Sequence, residues 1–287
     1  MLQPAPLARR STTWFRRTAW TLPPLIVLGG IFFFPMMQMV RESLGGGGET
    51  FYMKVLETPI FLSSLNHTLQ IGIFSTLGCL ALGSVLAILL AFAPFPGADA
   101  ISRFIDVFLA YPSFLVALSL TFIYGAAGLV NGTLMELFHT QRPPLNFLYT
   151  TTGVVLAETT FYTPFVMRPL LAAFSMIERS QIEVALCLGA SPRQVLREII
   201  IPAALPALLA GSSLCLMLTL NEFGIIFYLG AKGVITLPML IYGKAIQEFD
   251  YAQACVIAVV SITLSLGLYG IYLVSSRRLS RNHDILL

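Results

Sequence analysis

The sequence predicts an all-α membrane protein of about six transmembrane helices with both termini cytoplasmic. Composition is the first reason: 56% of the 287 residues are hydrophobic and only 11% charged, with a mean hydropathy of +0.82, far from the roughly one-quarter charged content of soluble domains. The second is a recurrence of apolar runs longer than the about 20 residues needed to cross a bilayer. The third is a concentration of Lys and Arg at alternate ends of those runs. Such spans consume most of the chain and leave no room for a separate soluble domain. The modest net charge of +3 does not suggest nucleic-acid binding.

Residues 1–17 carry Arg9, Arg10, Arg16 and Arg17 without an acid, and an apolar run follows from about Thr18 to Val40. A signal peptide has an apolar core of only about 7–15 residues. The longer run here predicts an uncleaved first span. From Arg41 to Leu65 the chain turns polar, with four glycines at Gly45 to Gly48, and reads as an exterior surface loop. A second span covers about Asn66 to Phe92 and ends at Pro94-Phe95-Pro96-Gly97; a third covers about Phe104 to Val130. A polar connection from Asn131 to Tyr149 leads to the fourth, about Thr151 to Ile177. After a polar loop at 183–202 come a fifth span to about Leu229 and a sixth from about Ala254 to Val274. Between these two, Met239, Leu240, Tyr242, Ile246 and Phe249 mix with Lys244, Glu248 and Asp250, a pattern that fits an interfacial or re-entrant helix. The organisation is therefore a cytoplasmic segment 1–17, a transmembrane domain 18–274 and a cytoplasmic tail 275–287.

Counting Lys and Arg on each face gives eleven against five, with Arg168 left inside a span. The positive-inside rule then places the 183–202 loop in the cytoplasm.

That loop reads EVALCLGASPRQVLREIIIP. A helix from about Glu178 to Leu188 would end at Gly189, which can adopt a left-handed conformation at little steric cost. Ser191, Pro192 and Gln194 supply an N-cap, a proline at the first helical position and a capping-box partner. Val195, Leu196 and Ile199 share one face, with Arg193, Arg197 and Glu198 off it; Pro202 closes the segment where the next apolar run begins. Glu183, Ala185, Gly189, Ile199 and Pro202 match the EAA loop in type and spacing, and Val184 and Ile201 depart from it only by small apolar exchanges. On these residues the chain resembles the permease subunits of ABC importers. The resemblance implies a type I importer (MetI-like) architecture in the bacterial inner membrane. It also implies that this loop is the cytoplasmic coupling helix, seated in a groove of an ATPase.

Charges inside a bilayer are functional candidates by default. The fourth span holds Glu158, Tyr162 one turn on, and Arg168, together with Pro164 and Pro169. The fifth holds Asn221 and Glu222, followed by Gly224. Glu158 and Glu222 both fall toward the exterior half and, with Tyr162 and Asn221, are candidates to line or gate the translocation pathway; interhelical hydrogen bonding is the competing structural role. Asp106 lies near the cytoplasmic end of the third span, and Arg168, nearer the cytoplasmic half of the fourth, has three options: a carboxylate partner, an anionic substrate, or snorkelling.

No phosphate loop of the form G-x-x-x-x-G-K-[ST] is present, so ATP is expected to bind a partner, and the chain is expected to carry no cofactor and to be no enzyme. The resemblance implies ABC ATPase subunits, a second permease that is a copy or homologue, and an extracytoplasmic solute-binding protein as partners. TLNEFG at Thr219 to Gly224 and EFDY at Glu248 to Tyr251 resemble the branch importing sulfate, molybdate, ferric iron and phosphonates, 2-aminoethylphosphonate permeases above all. Sulfate, ferric iron or a polyamine is the alternative substrate, and an ion-coupled secondary transporter the alternative class. Cys79, Cys187, Cys215 and Cys255 show no ligand spacing and read as small packing residues.

Overall fold

The computed structural model describes residues 10–45, 49–93 and 95–283. Arg9, Gly46 to Gly48, Pro94 and the last four residues, all part of the segments anticipated above, lie outside the described residues. Among those described, helices are the only regular elements. The first is α1 (Arg10–Gly45), which packs on the last helix, α13 (Tyr251–His283).

The predicted exterior loop 41–65 is largely helical instead. It holds α2 (Glu49–Leu56) and the start of α3 (Pro59–Phe92). Thr58 caps α3 by accepting the Phe61 N–H, and Pro59 occupies the first turn, where its missing N–H costs nothing. Val55 and Phe61 then bury against Leu237, Leu240, Val256 and Ile257. This outlying apolar cluster is what orders a segment that looks polar in isolation.

The predicted third span is not one helix but three: α4 (Ala98–Ala110), α5 (Ser113–Tyr124) and α6 (Leu129–Phe138). Pro112 has no N–H and pushes Tyr111 out of helical conformation, which separates α4 from α5. The second break is held by Asn131. Its Nδ2 donates to the carbonyls of Tyr124 (3.1 Å), Gly125 (2.9 Å) and Leu145 (2.8 Å), and its Oδ1 accepts the Leu145 N–H at 2.9 Å. One buried amide thus satisfies backbone groups that a broken helix would leave bare.

The helix expected for the fourth span forms, as α7 (Thr151–Ser175). After α8 (Arg179–Cys187) and α9 (Pro192–Val195), the chain passes through a π-helical turn, Leu196–Ile200, into α10 (Ile201–Leu220) without a gap. Pro202 therefore does not close the loop; it sits in the first turn of α10, where a proline is tolerated. The predicted fifth span ends early, because α10 stops at Leu220 and α11 (Gly224–Leu229) follows after a break. The expected interfacial helix is α12 (Leu237–Tyr242), continued by a π turn, Gly243–Gln247.

Among the described residues, five helical stretches are long and apolar enough to cross a membrane: 20–45, 59–92, 113–138, 192–220 and 251–274. The 25-residue α7 is also long enough, and its polar residues set it apart. Its place is central. Helices α3, α7 and α10 pack on one another as the core, brought close by glycines: a Cβ at Gly83 would lie 3.0 Å from Cβ of Val166, and one at Gly211 would lie 3.1 Å from Val166 Cα. Small residues serve this purpose between helices that gain little from the hydrophobic effect in lipid.

Candidate functional site

Two separate sites emerge from the residues singled out above. The loop site forms as its local sequence dictates. Gly189 has φ +89°, the left-handed region that favours glycine. Its N–H donates to Leu186 O and that of Ala190 to Ala185 O, both at 3.0 Å, closing the C-terminus of α8. Ser191 and Gln194 complete the expected capping box: the Gln194 N–H donates to Ser191 Oγ at 3.4 Å, and the Ser191 N–H donates to Gln194 Oε1 at 2.9 Å. Val195 and Ile200 are buried, Leu196, Ile199 and Ala185 pack on the core, and Arg193, Arg197 and Glu198 are exposed. Glu183 stands exposed beside Val184 and near Leu188, which is 84% exposed. The loop thus offers one carboxylate set among uncovered apolar side chains.

The second site lies inside the helices. Tyr162 donates its hydroxyl to Glu222 Oε2, while Glu222 Oε1 accepts from Ser113 Oγ (3.0 Å) and from the Ile225 N–H (2.8 Å). A single carboxylate therefore joins α5, α7 and the junction of α10 with α11. Gly224 is required by this closeness, since a Cβ there would meet Ser113 Oγ at 2.8 Å. Glu158 is completely buried in the core, within electrostatic range of Glu222 and next to Ser75 of α3. Neither oxygen of Glu158 completes a hydrogen bond, nor do the hydroxyls of Ser75 and Thr76.

Glu158, Tyr162 and Glu222 are thus brought together, and Asn221 and Arg168 are not. Asn221 is exposed and donates back to Met217 O at 2.8 Å. Arg168 takes the carboxylate option: it pairs with Asp106 and donates to Ser102 O at 2.7 Å, tying α7 to α4. An apolar cavity of about 350 Å³ between α4, α5 and α7, lined in part by Tyr111, Leu120 and Thr160, includes none of the predicted residues. Of the cysteines, Cys79 and Cys215 are buried as expected, Cys255 is half-buried, and Cys187 is exposed on α8.

Sequence reasoning missed Ser113, Ser75 and Thr76. The first had a signal in Pro112, which marks a helix start. The others had one in the spacing of Ser64, Thr68, Ser75 and Cys79, small polar residues recurring on one face of an otherwise apolar helix.

Among the described residues the chain is helical, with a capped loop that runs straight into a span. Residues 80–281 match the family described as binding-protein-dependent transport system inner membrane component. The chain belongs to that family. It is a membrane-spanning component of an ABC importer, resident in the inner membrane, and it is not itself an enzyme. The chain is 53% identical over 268 residues to a Salmonella typhimurium protein provisionally named 2-aminoethylphosphonate transport system permease protein PhnU, covering 92% of this chain and 93% of the relative. It is 31% identical over 212 residues to a sulfate transport system permease protein, cysT, also provisionally named, of Chlorella vulgaris, covering 72% and 77%. A bacterial alginate ABC transporter solved in complex with its alginate-bound periplasmic protein shares the fold, with TM-score 0.82, 18% identity and coverage of 95% and 97%.

Proposed function

We propose that this chain forms half of the translocation pathway for 2-aminoethylphosphonate. The carrying observation is the 53% identity to PhnU over nearly the whole of both chains. A second permease, a copy or a homologue, completes the pathway, and an extracytoplasmic binding protein delivers the solute. Two ATPase subunits bind and hydrolyse the ATP, so that this chain needs no cofactor of its own. Segments 1–17 and 275–287 face the cytoplasm with the loop and flank the transmembrane domain 18–274. Glu183, Ala185, Gly189, Ile199 and Pro202 form the coupling element, and the exposed Val184 and Leu188 around Glu183 support this reading. Glu158, Tyr162 and Glu222 form the polar site on the transport route, and Asn221 and Arg168, which stand apart from it, line the route elsewhere. Uptake of labelled 2-aminoethylphosphonate in cells with and without the chain tests the substrate. Chain-dependent uptake that sulfate and phosphate fail to compete supports it, and uptake independent of the chain refutes it.

A further inference from the structure

The core formed by α3, α7 and α10 contains an unmatched set of buried polar groups. Glu158 and Ser75 are each 0% exposed and Thr76 8%, yet both Glu158 oxygens, Ser75 Oγ and Thr76 Oγ1 make no hydrogen bond. Glu222 adds a second carboxylate, which already receives the Tyr162 and Ser113 hydroxyls and the Ile225 N–H. No basic side chain pairs with either carboxyl group: among the described residues, the ion pairs are Arg168 with Asp106 and Lys244 with Glu248. Intramembrane carboxylates are costly and persist where they meet a partner. What this cluster lacks is one positive charge carrying several donors.

A primary ammonium meets that requirement. It has three N–H donors and no acceptor, matching the two oxygens of Glu158 and a hydroxyl of Ser75 or Thr76. An anionic phosphonate or sulfate does not, because two carboxylates repel it. Resting on the 2-aminoethylphosphonate reading, we infer that Glu158, with Ser75 and Thr76, binds the primary ammonium group of the transported solute, and that Glu222, held by Tyr162, adds negative potential behind it. The cluster selects for the amine end of the molecule. Access comes from two features of the fold: Glu222 follows the exposed Asn221 at the break between α10 and α11, and α7 carries Pro164 between Glu158 and Arg168, where a lost backbone hydrogen bond lets the helix bend.

The test uses the complete transporter, without its binding protein, in lipid nanodiscs, and measures equilibrium binding of radiolabelled ethanolamine, which carries the ammonium but no phosphonate. Competitors are 2-aminoethylphosphonate, ethylphosphonate, Na⁺ and K⁺. The expected result is binding displaced by 2-aminoethylphosphonate and not by ethylphosphonate, weakened about tenfold or more by Glu158→Gln and a few-fold by Ser75→Ala, as for loss of hydrogen bonds to a charged group. Melting temperature is recorded for each variant, and Ser75→Ala carries the test if Glu158→Gln does not assemble. Absence of ethanolamine binding, equal binding by wild type and both variants, or displacement by Na⁺ or K⁺ at equal concentration would overturn the inference, the last by making this an inorganic cation site. Cellular uptake of 2-aminoethylphosphonate that is indifferent to the chain refutes the substrate reading instead and leaves the ethanolamine result to decide the ammonium site.

Discussion

Tyr162 gives its hydroxyl hydrogen to Glu222, and this bond fastens the middle of α7 to the break between α10 and α11. Glu222 has two further donors, Ser113 and the Ile225 N–H, so its removal and that of Tyr162 differ in consequence. Tyr162→Phe removes one bond to a carboxylate and is expected to cost about 1.5–3 kcal/mol. Glu222→Leu strands three buried donors and costs more. Denaturant unfolding of the detergent-solubilised protein ranks the two, and equal losses would contradict the shared-acceptor geometry.

Glycines of the same composition differ in what surrounds them. A Cβ at Gly153 would stand 2.1 Å from Leu148 O, a backbone atom that cannot step aside, whereas a Cβ at Gly132 would meet nothing within 4 Å. Gly153→Ala should destabilise by about 1–3 kcal/mol, the usual range for overpacking. Gly132→Ala, in α6, should be neutral or stabilise by up to about 1 kcal/mol. Thermal unfolding of both variants in one detergent checks the contrast.

The loop makes a prediction about activity. Gly189→Asp places a side chain at φ +89°, and Glu183→Lys reverses the exposed charge of α8. Both variants are expected to reach the membrane at wild-type levels and to lose ATP-driven uptake almost entirely. Normal transport by both would remove the coupling role from this loop.

Arg168 and Asp106 tie α7 to α4 with side chains 33% and 45% exposed. At that exposure the pair is worth about 1 kcal/mol or less once screening is allowed for. A double-mutant cycle with Arg168→Gln and Asp106→Asn should return a coupling of that size. A coupling of several kcal/mol would mean that the pair is closed off from solvent in the assembled transporter.

The loop was legible because its signals are local. Gly189, Ser191 and Gln194 act on backbone groups within five residues of themselves, so residue type alone predicts the bend and the cap. The helix breaks were hidden for the opposite reason. Periodicity reports an apolar run from Phe104 to Val130 and another from Ala203 to Leu229, but a run stays helical only where its own carbonyls have no better partner. Asn131 supplies such a partner to the Tyr124 and Gly125 carbonyls, while Glu222 takes the Ile225 N–H at the other break, and Leu145 and Ser113, farther away in sequence, hold these two side chains. Glu158 and Glu222 were visible as charges out of place, yet their meeting depends on how α7 and α10 cross, which spacing does not encode. The helix α2 looked like a loop because its burial partners, Leu237 and Val256, lie far along the chain.

On the coupling role proposed above, the uninterrupted helix from Pro192 to Leu220 is a lever. At about 1.5 Å per residue, its 29 residues reach about 40 Å from the capping box to the threshold of Glu222. The π turn at Leu196–Ile200 sets the phase of that lever, since one residue more or fewer there rotates everything beyond it by about 100°. Deleting one residue from the turn would keep α10 in place and swing α8, with Glu183, by about 100° around the helix axis. The angular setting of the shaft, as well as its length, is therefore written into those five residues.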